Sequence, residues 1–178
     1  MFKLNIFCLL ILIVTFTNCM IDGHDMMGIT INIQQSKFDR AYEYASEFVL
    51  KYPANIEGWY YYGALSGLKG NYEVMETAFS KATKLDGNPK VYLPFDMDEN
   101  EVNLRNAIKI NNDHFININI QEAQRLLNSV KIEDTLDLNT KYLELAKSKI
   151  ENAELIDPNN PQINFMKKII SDYEKLLK

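Results

Sequence analysis

The sequence predicts an all-α protein: helical hairpins stacked as a short α-solenoid, with an irregular middle segment and a C-terminal capping helix. Three observations carry that expectation. Apolar residues recur at three- and four-residue steps along most of the chain, the spacing that lines one face of a helix. Turn signals such as Tyr52-Pro53-Ala54-Asn55 and Gly70-Asn71 separate those stretches. A pattern of aromatic and small residues also returns after 34 positions, which signals a repeat. With 178 residues, 47% hydrophobic and 24% charged, the chain has the length and composition of one globular unit. Its net charge of −5 argues against a nucleic-acid partner, which needs a basic surface. Two cysteines cannot make a disulfide-rich scaffold.

Residues 1–18 hold one charge, Lys3, followed by an apolar run over 7–16 interrupted only by Thr15. That pattern describes an export signal. A membrane span needs about 20 apolar residues, and Asn18 and Asp22 close this run too early. In place of a small-x-small cleavage site stands Phe16-Thr17-Asn18-Cys19. An apolar run ending in Thr-Asn-Cys resembles the lipobox of bacterial lipoproteins. Phe16 and Asn18 stand where that family prefers Leu and a small residue, a looseness that spirochaete lipoproteins share. The resemblance implies that Cys19 becomes the acylated first residue of the mature chain, with 19–24 as its tether. The protein would then be exported and anchored to a lipid bilayer, on the periplasmic face or at the cell surface. The alternative is an uncleaved anchor, or a signal cut elsewhere, with Cys19 an ordinary thiol.

After the tether, residues 25–35 form a poor first helix, with Gly28 inside and β-branched Ile and Thr around it. Residues 37–51 are a clear amphipathic helix through Phe38, Ala41, Tyr42, Ala45, Phe48 and Val49. Pro53 ends it. In the next helix Trp59, Tyr62, Gly63 and Ser66 share one face, and beyond Gly70-Asn71 the stripe Tyr72, Met75, Phe79 and Ala82 faces them. Gly63 lets the two helices approach closely.

Residues 56–89 resemble the 34-residue tetratricopeptide repeat, or TPR. Trp59 takes the repeat's Trp position, Gly63 and Ala82 its small positions, and Phe79 its aromatic position. Phe38, Ala41 and Pro53 fall in the same phase, so 22–55 is an earlier repeat and 22–89 holds two. Near the C-terminus Ala146, Ile150, Ala153 and Pro158 match the close of a TPR second helix. Residues 139–178 therefore comprise one TPR-like helix and a capping helix through Ile163, Met166, Ile170 and Tyr173.

The middle, 90–138, is expected to be an irregular helical insertion. Asp98-x-x-Glu101 has the form of a capping box ahead of a helix through Val102, Leu104 and Ala107. Asn111-Asn112-Asp113 should end that helix. Residues 115–120 alternate in the strand manner, yet they also fit the start of a helix through Ala123 and Leu126. Residues 131–139 have the composition of a long loop.

No motif for chemistry emerges. Asp96-x-Asp98-x-Asn100 matches the first ligands of a calcium loop, but Glu101 occupies its glycine position and Ala107 its bidentate Glu position. His24 and His114 are 90 residues apart, and no phosphate loop or nucleophile elbow is present. No catalytic residue, metal or cofactor is therefore expected. In TPR proteins the positions of Met26, Thr30, Ile33, Tyr60, Ala64 and Leu68 line the concave groove, so the resemblance makes these peptide-binding candidates; the bland reading is that Ile33 and Leu68 pack against the next helix. The expectation is a tethered scaffold for a protein or peptide partner in the cell envelope, for instance an accessory to outer-membrane assembly. The alternatives are a surface-displayed adhesin, or an envelope enzyme built on the irregular middle.

Overall fold

A computed structural model describes residues 25–96, 101–131 and 135–177. The export signal, Cys19, the 19–24 tether with His24, and two members of the calcium-like motif, Asp98 and Asn100, lie outside the described residues. The chain is all-α, a stack of helical hairpins. Its helices are α1 (25–34), α2 (Phe38–Lys51), α3 (Ile56–Leu68), α4 (Tyr72–Lys84), α5 (Leu104–Leu127), α6 (Leu136–Ile156) and α7 (Pro161–Leu176). Two short strands, β1 (Lys90–Val91) and β2 (Val102–Asn103), pair antiparallel just before α5.

The pairing of elements follows from their ends. Asp25, the first described residue of α1, meets Lys51 and the Tyr52 hydroxyl at the end of α2, at 2.6 and 3.1 Å, so these two helices run antiparallel. The Asn55 side chain accepts the Gly58 N–H at 2.8 Å and starts α3. At its other end Gly70 adopts φ 78°, and Asn71 N–H returns to the Ser66 carbonyl at 2.9 Å. A side chain at position 70 would strain this turn, so glycine suits it. Neighbouring helices α3 and α4 pack extensively, as do α5 and α6; α3 also meets α5, and α4 meets α6. The α3–α4 hairpin thus stacks on the α5–α6 hairpin first helix on first and second on second, α2 packs against α3, and α7 packs against α6 at the other end.

Helix α3 is buried almost all round, from Gly58 to Tyr61 and Gly63 to Gly67, as befits the centre of the stack. Its glycines make that possible. A Cβ on Gly63 would stand 2.8 Å from the Phe79 ring, and one on Gly67 2.5 Å from the Phe115 ring.

The middle segment departs from expectation. Residues 104–127 form one continuous helix, neither stopping at Asn111-Asn112-Asp113 nor forming a strand over 115–120. Asparagines end helices when their side chains compete for backbone groups in turns. Here the amides of Asn111 and Asn119 instead donate back to the carbonyls of Ala107 and Phe115, each at 2.8 Å, within the helix. Asparagine and isoleucine alternate in sequence, but burial runs in the two-in, two-out rhythm of a helix: Phe115, Ile116, Asn119 and Ile120 are inside, Asn117 and Ile118 outside. The start also differs. Val102 lies in β2 rather than in the helix, and the Arg105 N–H is capped by the Asn88 side chain at 3.1 Å.

The expected loop over 131–139 is shorter as well, because α6 begins at Leu136. Buried Asn139 explains this: its amide exchanges two hydrogen bonds with the backbone of Lys131, at 2.7 and 3.1 Å. The segment 90–138 is therefore mostly the first helix of a hairpin whose second helix is α6. Within it, ahead of α5, the described residues outside helices are 90–96 and 101–103.

Candidate functional site

The second hairpin, α3 with α4, offers two faces. On the inner one the Tyr60 hydroxyl donates to the Tyr92 carbonyl at 3.0 Å and accepts from the Asn111 amide, also at 3.0 Å. The Tyr92 N–H donates to the Tyr61 hydroxyl at 3.2 Å. Two consecutive tyrosines thus stitch the segment after Pro89 onto α3. Burial holds the Tyr60 phenol far above its ordinary range, against the pull of Asn111. Burial also pushes Tyr61 up to about 12, with the Tyr92 N–H opposing. Beside them the Asn119 amide donates to the Tyr72 hydroxyl at 2.9 Å, and the Phe115 ring fills the hollow at Gly67.

This arrangement corrects the expected concave groove. Tyr60 and Ala64 are 0% exposed and Ile33 is buried, so none of the three lines an open surface. The physical reason at Tyr60 is that its hydroxyl finds both partners within the chain, on Tyr92 and on α5. Met26, Thr30 and Leu68 are half-buried. Thr30 turns its hydroxyl to the Met27 carbonyl at 3.2 Å, and Met26 and Leu68 pack against the core.

Several titratable groups on this side are shifted by burial. Burial raises the Glu57 carboxyl above its usual range, and the nearby Glu101 charge adds to the effect. Burial raises Glu76 too, opposed by a hydrogen bond from Asn112. His114 stacks on Phe95, centroids 3.9 Å apart and planes 9° from parallel, and burial lowers its pKa. Among the described residues no three His, Cys, Asp or Glu side chains gather as a metal site would require. No described helix is long and apolar enough to cross a membrane.

The outer face is open. A groove of about 450 Å³ runs between α2, α3 and α4, walled by Val49, Leu50, Trp59, Tyr62 and Val74, with Glu73 and Lys81 at its rim. Trp59 anchors it: the indole N–H donates to the Pro53 carbonyl at 2.8 Å, and the Lys81 ammonium lies 4.0 Å from the indole ring centroid. The Tyr62 ring packs 6.2 Å from Trp59 and 5.5 Å from Tyr42. Burial and a hydrogen bond with Tyr42 push the Tyr62 phenol up to about 12. Leu50 stands 82% exposed at the groove edge. Another groove, about 420 Å³ between α6 and α7, is lined by Glu144, Lys147 and Glu174 as well as leucines, and is more charged.

Trp59 and Tyr62 were expected in the core, and Trp59 is indeed buried while Tyr62 is half-buried; both also form the floor of this groove. Leu50, Glu73, Val74 and Lys81 are groove residues that sequence reasoning missed. Leu50 carried a signal, since it is an apolar residue off the buried stripe of α2. No protein-family model matches the chain, and no curated protein matches it.

Proposed function

We propose that this chain is a TPR-like scaffold, tethered to a bacterial envelope membrane through acylated Cys19, that holds a protein partner in the groove between α2, α3 and α4. The observation that carries the reading is that groove. It is an apolar trough floored by a rigidly held indole and edged by an exposed leucine, with one cation and one carboxylate at the rim. Such a surface suits the apolar face of an amphipathic segment from a partner, with Lys81 and Glu73 fixing its direction. The sealed inner face supports the same choice, because it leaves the hairpin's outer side as the accessible one. The reading assigns no reaction to the chain and no cofactor. The export signal and lipobox-like Thr17-Asn18-Cys19 support the tether.

Affinity purification from crosslinked cells, comparing the parent with Cys19→Ala and with Leu50→Glu, tests both parts. An envelope protein recovered with the parent, reduced with Cys19→Ala and lost with Leu50→Glu, is the expected outcome. Equal recovery from parent and Leu50→Glu would remove the groove from the proposal. Recovery of no protein with any form would end the scaffold reading.

A further inference from the structure

We infer that the outer face of α1, centred on Met27 and Ile31, lies against the lipid surface to which the chain is tethered. The inference rests on the tethered reading above and deepens it by assigning the face that meets the membrane. Helix α1 turns Ile29 and Ile33 into the core, as an amphipathic helix should. Its opposite side carries large apolar groups as well. Met27 is 57% exposed and Ile31 42%, four residues and about one turn apart. Tyr44 of α2, itself exposed, extends the patch: its ring passes 3.5 Å from where a Cβ on Gly28 would stand. A single exposed apolar residue needs no explanation, but a group of them around one turn marks an interaction surface.

The position of the patch identifies its occupant. Only residues 20–24 separate Cys19 from Asp25, and those six chain steps reach at most about 20 Å even fully extended. A bilayer that holds an acylated Cys19 is therefore held close to Asp25 of α1, while α7 sits at the other end of the stack. Charge does not provide the attraction. Arg40 lies 6.0 Å from the Tyr44 ring centroid, but Glu43 and Glu47 are exposed on the same helix, Lys51 is paired with Asp25, and the whole chain carries −5. The contact is apolar, with side chains entering the headgroup boundary as those of interfacial helices do, and zwitterionic lipid suffices for it.

The test uses the acylated full chain bound to phosphatidylcholine vesicles, with a fluorophore on Gln34→Cys, one turn beyond Ile31, or on Lys168→Cys of α7 as reference. Nitroxide groups placed just below the lipid headgroups should quench the probe at 34 several-fold more than the probe at 168. That contrast should persist when salt is raised. Adding Met27→Glu and Ile31→Glu should abolish it while the protein still floats with the vesicles. Equal quenching at 34 and 168 in vesicle-bound protein would overturn this inference and leave the tether intact. Loss of the contrast in salt would overturn the apolar basis of the contact. An unmodified Cys19 by mass spectrometry, with protein that fails to float, would overturn the tether and this inference together.

Discussion

Helix α3 presents two faces that solve different problems with similar residues. Its inner face sets Tyr60, Tyr61 and Gly67 against the chain's own later segments, with every tyrosine hydroxyl there hydrogen-bonded. Its outer face sets Trp59 and Tyr62 in a trough that no other segment fills among the described residues. The difference teaches how to separate packing from binding where both use aromatic rings. A buried phenol must find partners or lose about 1–3 kcal/mol, and on the inner face the Tyr60 hydroxyl finds them on the later segments that cover it, at Tyr92 and on α5. On the outer face the partners lie within the same hairpins, Tyr62 is only half-buried and Leu50 beside it is exposed.

Overpacking the inner side should have the largest effect. Gly67→Leu would drive side-chain atoms into Phe115 and the Met75 sulfur, which already lie 2.5 and 2.7 Å from a bare Cβ. A loss of about 3 kcal/mol is expected, seen as a lower denaturation midpoint. Gly63→Leu, facing Phe79 and Ala78, should cost about 1–3 kcal/mol. A Gly67→Leu protein that melts like the parent would show that α5 does not seal this face.

Removing a single oxygen comes next. Tyr60→Phe leaves the ring in place but orphans the Tyr92 carbonyl and one donor of Asn111, for a cost of about 1–3 kcal/mol in chemical denaturation. Tyr62→Phe on the outer face loses the hydrogen bond with Tyr42 at a half-buried site and should cost less, about 0.5–1 kcal/mol. Equal effects at 60 and 62 would erase the contrast between the faces.

A smaller, pH-dependent effect is expected at Glu76. Its folded pKa is raised above the ordinary 4.5, chiefly by burial. The folded state then binds that proton more tightly than the unfolded state. This contribution to stability is fully present below 4.5 and is lost as pH rises through the folded value. At neutral pH the half-buried carboxylate is a net cost, made worse because its Oε1 has no hydrogen-bond partner. Glu76→Gln should therefore raise the melting temperature at pH 7, with the gain disappearing as pH falls toward 4.5. A gain that stays constant with pH would point to packing rather than charge. Smallest in stability is Leu50→Glu, expected within about 0.5 kcal/mol because the residue is exposed; its effect should appear in partner binding alone.

Much of this was legible in the sequence. The stripes Phe38–Ala41–Ala45–Phe48 and Tyr72–Met75–Phe79–Ala82, and the glycine at 63, follow from helical periodicity and side-chain size, and they gave the hairpins directly. Helix α5 was misjudged at its asparagines because a residue's local preference for turns yields when a tertiary partner accepts its amide. Tyr60 and Tyr72 lie 51 and 47 positions away from Asn111 and Asn119, too far for any local pattern to show. The groove candidates failed at Tyr60 and Ala64 for the same reason, since repeat phase assigns a position to a face without saying what later segment covers it. Leu50 was visible as an apolar residue off its stripe, but only the neighbouring α4 turns it into a groove edge.

The most direct test of the division between faces is photocrosslinking in cells, with benzoylphenylalanine placed at Leu50 on the outer groove and, separately, at Tyr92 on the inner seal. Adducts to another protein from position 50, and none from position 92, are expected. Adducts from 92 with none from 50 would mean that the inner face opens to receive the partner, and the assignment of the two faces would be reversed.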